Sequence, residues 1–348
     1  MVADARVSEG LYDNELELSL GLQVSSITLR TSVGVRIPAR FVRAFKKARS
    51  ASEWYRNKIA LEDIKQNAII NAKLLESLPI VSRNELSGVK STVHSEKYID
   101  IQDEASLDDA GRITRLFESD YAELVNVYQK LFKTVGVKKR DIVLISDYGS
   151  SPISYLASNL FCTFQTKGLA ERLGFVALCT DGMPEFVQRT IHVIESTKPK
   201  IVVIRHDLIP PLVAALRSRE VSLKDLGVAT TVVTANCDTA GEEAALASKL
   251  GTKVRRFLRD DLAFFVMIEC KEHNGFHIGE DSYLAEIVDY GNKSPITFGE
   301  TGRLVVSALF PTSIPIMRFE TSYEGYLKRS KCSCTPGKKA SRVLFFPT

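Results

Sequence analysis

The regular alternation of apolar, strand-like runs with amphipathic helical runs between Val137 and Ile268 constrains this chain's fold more than any other feature. Asp141–Ser146, a β-rich apolar run, and Phe175–Cys179, Lys200–Ile204, Ala229–Thr234, Lys253–Leu258 and Leu262–Ile268 read as short strands. Between them Ile153–Arg172, Met183–Thr197, Leu208–Ser218 and Ala240–Leu250 read as helices. In the second of these, Phe186, Val187, Ile191 and Ile194 fall on one face. Strand–helix alternation of this period implies parallel-type sheets flanked by helices, so the expected class is α/β. The runs at 141–146, 200–204 and 229–234 are nearly all apolar instead of alternating. Strands covered on both faces read that way.

After Glu269 the helical pattern stops. Tyr283–Val288, a turn at Gly291–Pro295 and Arg303–Leu309 read as hairpin-like strands. The expected organisation is an N-terminal extension over 1–45, an α/β body over 46–268 and a β-rich lobe over 269–348. Within the extension, Leu11–Leu22 is leucine-rich and Val24–Val35 has the β-branched content of a strand or hairpin, but neither carries recognisable chemistry. From Trp54 a helical pattern runs through Ile59, Leu61, Ile64, Ile69 and Leu74. It stops at Leu78-Pro79, because a residue before proline avoids helical geometry. Lys97–Arg115 is polar and acidic and reads as a loop, and Leu116–Phe132 as an amphipathic helix.

With 348 residues and 45% hydrophobic content the chain has ample material for a buried core. The formal net charge of +4 is small and both signs are mixed along the chain, which predicts neither nucleic-acid nor membrane binding. Lys46-Lys47, Lys138-Lys139-Arg140 and Lys338-Lys339 read as solvated turns. No apolar run reaches membrane-spanning length, and no basic-then-apolar leader opens the sequence. The chain has six cysteines, too scattered for a disulfide framework, so a reducing cytoplasm is the expected compartment.

Three of the six cysteines lie between 269 and 334, beside two of the five histidines. Three thiols and an imidazole are the ligand set of a closed tetrahedral zinc site, and paired strands can bring an early Cys270/His277 pair against Cys332-Ser333-Cys334. The competing reading is buried thiols and an ordinary surface histidine. His273 competes with His277 but has charged neighbours. Cys162, Cys179 and Cys237 sit in apolar or helical settings and read as core; His94, His192 and His206 have no partner in sequence. No Ser/His/Asp order and no glycine-rich phosphate loop stands out.

Several segments, taken together, point to a family. They are Ser52-Glu53-Trp54-Tyr55-Arg56, Leu78-Pro79-Ile80-Val81-Ser82-Arg83-Asn84-Glu85-Leu86, Gly136-Val137-Lys138-Lys139-Arg140-Asp141 and Glu269-Cys270…Gly275-Phe276-His277…Glu280-Asp281…Glu286-Ile287-Val288-Asp289. Behind these come Gly299-Glu300-Thr301-Gly302-Arg303-Leu304-Val305, Pro315-Ile316-Met317-Arg318-Phe319 and Cys332-Ser333-Cys334. In order and spacing, from about 52 to 337, they resemble the phenylacetate–coenzyme A ligases. These are AMP-forming members of the adenylate-forming superfamily, which activate a carboxylate with ATP and pass the acyl group to a thiol. The resemblance implies an adenylate-forming large domain and a structural zinc at Cys270, His277, Cys332 and Cys334. It also implies an acyl pocket lined by Tyr148 and Gly149. Nucleotide contacts would fall at Asn236, in the family's adenine-binding "GAE" position, and at Asp260 or Asp261, in place of its magnesium-binding glutamate. Arg318 matches the arginine before the ribose-binding aspartate, with a salt bridge inside the lobe as its other role.

The departures from the family are specific. Where the family has a small-residue phosphate loop, the aligned stretch is Ser106-Leu107-Asp108-Asp109-Ala110-Gly111-Arg112, and two carboxylates there repel a triphosphate. The ribose aspartate is replaced by Tyr323. The small C-terminal domain, with its adenylation lysine, has no room after Cys334 and is expected to be absent. These departures argue against ATP with magnesium and against coenzyme A as working ligands. The expectation is a degenerate relative that keeps the fold and binds a small carboxylate, an acyl group or a protein partner. The alternatives are a working ligase with unusual ATP contacts or a partner-supplied C-terminal domain, and an acyl-accepting thiol at Cys332 or Cys334.

Overall fold

The computed structural model describes residues 29–30, 36–37, 39–58, 78–87, 98–102, 113–148, 151–235, 243–291, 295–296, 299–310, 312, 315–334 and 339–344. Strands β1 (Leu29–Arg30) and β2 (Arg36–Ile37) form an antiparallel pair. Helix α1 (Ala39–Ala51) follows and runs across residue 45. Phe41, Phe45 and Ala48, at helical spacing, are its buried side. Lys46-Lys47 therefore lies on a helix and not in a turn. In α2 (Glu53–Lys58) the buried Tyr55 hydroxyl donates to the carbonyl of Pro315 at 2.9 Å and accepts the N–H of Met317 at 3.1 Å. The helical pattern read over 59–74 lies outside the described residues up to Leu78, where α3 (Arg83–Ser87) soon follows.

Two readings need correction. The stretch 97–115 is not simply a loop: β3 (Tyr98–Gln102) and β4 (Ile113–Phe117) pair antiparallel, with Tyr98 opposite Phe117. In β3, Ile99 and Ile101 alternate with Asp100 and Gln102, the period-two pattern of a strand. Helix α4 (Glu118–Val135) then buries Tyr121, Leu124, Val125, Tyr128, Leu131 and Phe132 as one stripe. The second correction concerns 153–172, which is two short helices and not one. After β5 (Ile142–Asp147), α5 (Pro152–Ala157) ends where Ser158 turns extended, and α6 (Leu169–Leu173) starts after a loop. Gly168 opens α6 at a contact only glycine allows, since a Cβ there would meet the Ser158 backbone at 2.7 Å.

The remaining elements follow the alternation: β6 (Val176–Asp181), α7 (Val187–Thr197), β7 (Ile201–Arg205), α8 (Ile209–Ser218), β8 (Thr230–Ala235), α9 (Glu243–Leu250) and β9 (Lys253–Asp260). Then come strands only: β10 (Phe265–Glu269), β11 (Phe276–Ile278), β12 (Tyr283–Val288), β13 (Gly302–Ala308), β14 (Phe319–Lys331) and β15 (Lys339–Leu344). Among the described residues β5–β15 make a single eleven-stranded sheet, ordered β12-β13-β14-β15-β11-β10-β9-β8-β7-β5-β6. The β6-β5-β7-β8-β9 half is parallel. From β10 onward every pairing is antiparallel, and the sheet continues unbroken past residue 268.

Successive residues of the parallel strands enter different cores. Val143, Ile145, Val203 and Val232 pack with the stripe of α4 and with α5 and α6. Leu144, Val202, Ile204 and Val233 pack on the other face with Ile191, Leu212, Leu216 and Leu250 of α7–α9. Burial on both faces is why these strands read as apolar throughout; each such side chain contributes about 1.5–3 kcal/mol. The edge strand β6 is the exception. It leaves Val176 and Cys179 exposed, so Cys179 is not a core residue. No described helix is long and apolar enough to cross a membrane.

Candidate functional site

Strand β15 is the element that gathers the cysteines. It pairs with β14 on one side and with β11 on the other, placing His277 opposite Arg342. The turn after β14 carries Cys332 and Cys334, and β15 sets it against the β10–β11 hairpin, which carries Cys270 and His277. That hairpin is tight: the Cys270 N–H donates to the carbonyl of Gly275 at 2.9 Å. Gly275 has φ +81°, and a Cβ there would meet the carbonyl oxygen of Val343 at 2.6 Å, so both backbone and space call for glycine.

The ligand atoms of Cys270, His277, Cys332 and Cys334 all lie within 4.8 Å of one another. The Cys270 and Cys334 sulfurs are 3.8 Å apart, and the Cys332 sulfur is 3.4 Å from His277 Nε2. Zinc bonds of about 2.3 Å to sulfur and about 2.0 Å to nitrogen imply tetrahedral edges of about 3.8 and about 3.5 Å. A disulfide is excluded for the first pair, since an S–S bond is about 2.05 Å. Burial, then the nearby Arg342 guanidinium, holds His277 below the usual imidazole range, which favours its neutral, ligating form. Burial pushes the Cys334 thiol up to about 11.

Neighbouring groups hold this cluster in place. The Lys271 N–H donates to the Cys334 sulfur at 3.1 Å, and the Ser333 N–H donates to Glu272 at 2.6 Å. Arg342, buried, places Nη1 3.5 Å from the Cys270 sulfur and donates from it to the Asn274 carbonyl at 2.9 Å. Three thiolates around a divalent ion leave net negative charge, and a buried guanidinium offsets it. Sequence reasoning missed Arg342, because nothing local distinguishes it from any other basic residue on a strand. His273 lies outside the cluster, with Nδ1 3.3 Å from the buried Glu269 carboxylate, which also pairs with Arg256 at 2.7 Å.

In sheets of this kind ligands bind beyond the carboxyl ends of the parallel strands. Among the described residues, several side chains at that edge pair with one another. Arg259 of β9 reaches Asp147 of β5 with bonds of 2.5 and 3.3 Å, both side chains buried, and Arg259 Nε is 3.4 Å from Asp261. Asp260 is buried, pairs with Arg83 and accepts the Ala263 N–H at 3.3 Å. Tyr323 is buried between the strands, its hydroxyl donating to the Arg259 carbonyl at 2.7 Å and lying 3.4 Å from the Ala235 carbonyl. Tyr148 follows β5, and its ring stacks under the Arg205 guanidinium at 3.4 Å from the centroid. Arg318 is fully buried inside the lobe: Nε meets Glu286 at 3.2 Å and Nη1 donates to the Leu78 carbonyl at 2.5 Å. Gly149, Asn236, Cys237 and the 106–112 stretch lie outside the described residues.

No family model matches the chain. It is 28% identical over 170 residues to the phenylacetate-coenzyme A ligase of Thermus thermophilus, a stretch that takes in 48% of this chain and 38% of that ligase. Among solved structures it is similar to 2-hydroxyisobutyryl-CoA ligase. In the open conformation with 2-HIB-AMP and CoA the TM-score is 0.71 at 16% identity, covering 88% of this chain and 67% of that one. In the thioesterification state the TM-score is 0.72, covering 87% and 65%. At such identities this likeness speaks for the fold.

Proposed function

We propose that the chain is a phenylacetate–coenzyme A ligase-like member of the adenylate-forming superfamily whose adenylation is impaired or lost while acyl or partner binding is retained. The observation that carries this reading is Tyr323. It stands where the family resemblance puts a ribose-binding aspartate, and its hydroxyl is committed to the Arg259 and Ala235 backbone carbonyls. A buried phenol supplies bulk where a ribose diol needs a charged acceptor. Asp108 and Asp109 add repulsion where a triphosphate needs donors. Asp260 is engaged with Arg83, so a magnesium role there competes with an ion pair already formed.

In this reading the body (46–268) supplies the acyl site beside Tyr148, and the lobe (269–348) supplies a structural zinc clamp. Four protein ligands leave no open coordination position, so the metal's contribution is folding energy, not catalysis. The same geometry argues against an acyl-accepting role for Cys332 or Cys334, whose sulfurs face the cluster. The competing reading is an active ligase with non-standard ATP contacts or a partner-supplied C-terminal domain; the whole-fold likeness to a ligase that binds 2-HIB-AMP and CoA favours it.

Calorimetric titration with ATP, with and without magnesium, separates the two. The expected result is no ATP binding that magnesium strengthens, while a panel of aryl and fatty carboxylates is screened for binding alone. Magnesium-dependent ATP binding together with carboxylate-dependent pyrophosphate release at an ordinary enzymatic rate would overturn the proposal in favour of the ligase.

A further inference from the structure

Helices α1 and α4 flank a groove of about 1000 Å³ that shares no residue with the cysteine cluster or the strand-end groups. Its charge is one-sided. Arg40, Arg43, Lys46 and Lys47 line it from α1, and Lys130 and Lys133 line it from α4. The opposing carboxylates of the lining are Glu123 and Asp281. Six cations against two carboxylates leave four positive charges in one groove, equal to the formal net charge of +4 of the whole chain. The formal charges outside the groove therefore sum to zero.

These cations are also poorly compensated. Lys130 pairs with Asp281 at 3.2 Å, and Arg40 donates to the Asp281 backbone carbonyl at 2.9 Å, which orients the guanidinium without neutralising it. Among the described residues no carboxylate forms an ion pair with Arg43, Lys46, Lys47 or Lys133. Holding like charges together around one groove opposes folding unless an anion relieves the repulsion. The helical spacing places Arg40, Arg43 and Lys47 along one side of α1, at i, i+3 and i+7, while Lys130 and Lys133 face them at i and i+3. Arginine grips a phosphate through two parallel N–H bonds and lysine adds point charge.

We propose that the groove between α1 and α4 binds a small molecule carrying several phosphate groups. Two or three linked phosphates can engage cations from each helix at once. The size suits a small molecule, since ligand pockets run to about 300–1,000 Å³. The phosphates of a soluble metabolite and those of a lipid headgroup share this chemistry, and the test separates them.

The full chain is titrated calorimetrically with inorganic tripolyphosphate at about 50 mM and about 200 mM salt, a range over which screening of exposed charges rises steeply. Saturable binding that weakens about tenfold or more across that range is expected. The double variant Lys46→Glu, Lys47→Glu is expected to weaken it by a further order of magnitude, roughly, at low salt. Lys224→Glu, an exposed lysine in a distant turn, is expected to leave it unchanged. Circular dichroism verifies folding; if the double charge reversal does not fold, Arg43→Gln with Lys133→Gln replaces it. Vesicles of phosphatidylcholine with a phosphoinositide form the lipid arm. Vesicle binding without tripolyphosphate binding overturns the small-molecule proposal in favour of a lipid surface. No binding at low salt, or equal weakening by Lys224→Glu and the groove variants, overturns it outright.

Discussion

Arg318 shows how the meaning of one residue depends on what surrounds it. In sequence it matches an arginine next to a nucleotide-binding aspartate. In the fold it is fully buried, has φ +47° and is paired with Glu286, itself fully buried. Removing one partner of a buried ion pair leaves a charge stranded in low dielectric, at a cost of about 3–5 kcal/mol. Arg318→Met is therefore expected to lower unfolding stability in urea by about that amount, and Arg318→Met with Glu286→Leu to recover much of it. A nucleotide role predicts the opposite pattern: loss of ligand binding with stability nearly unchanged. Gly275 gives a second residue-scale prediction. Gly275→Ala forces a Cβ against the Val343 carbonyl in a left-handed backbone, so if the proposed zinc site holds, the purified variant should retain less zinc by elemental analysis than the parent, for which one per chain is expected.

At the scale of elements, β15 decides whether the cluster exists. It contributes no ligand, yet it lies between β14 and β11 and so fixes the distance from the Cys332–Cys334 turn to the β10–β11 hairpin. The metal proposed at those turns would tie β14 and β15 to the rest of the sheet. Chelation is then expected to raise amide hydrogen exchange in 326–331 and 339–344 first, with β5, β7 and β8 unaffected. Uniform loosening throughout the sheet, or no change after the metal is removed, would count against a structural clamp. Cys332→Ser should reproduce the chelated exchange pattern without chelator.

At the scale of the whole molecule, the sheet's parallel half ends in side chains that hold each other: Arg259 with Asp147, Asp260 with Arg83, and Tyr323 on the Arg259 and Ala235 carbonyls. Adenylation requires donors already aimed at the phosphates when charge develops. Incubation with ATP, magnesium and a panel of carboxylates should accordingly release no pyrophosphate above background. Tyr323→Asp is expected not to restore activity by itself, because it leaves the ion pairs of Arg259 with Asp147 and of Asp260 with Arg83 in place.

The amino-acid sequence by itself determined the parallel half of the sheet, because strands buried on both faces must be apolar throughout and the helices between them must show a periodic stripe. It also singled out the four residues that the fold brings into one cluster, since thiols and an imidazole have a chemistry that local context cannot disguise. The break at Ser158 and the β3–β4 hairpin were decided by packing: Gly168 against the Ser158 backbone, and strand pairing over polar residues. Arg342 under the cysteines, Tyr323 between the strand ends and Lys46-Lys47 on a groove wall rest on contacts between residues far apart in the chain. Local pattern records what a residue is and how its neighbours repeat. Only the tertiary structure decided which distant charge, carbonyl or sulfur each side chain meets.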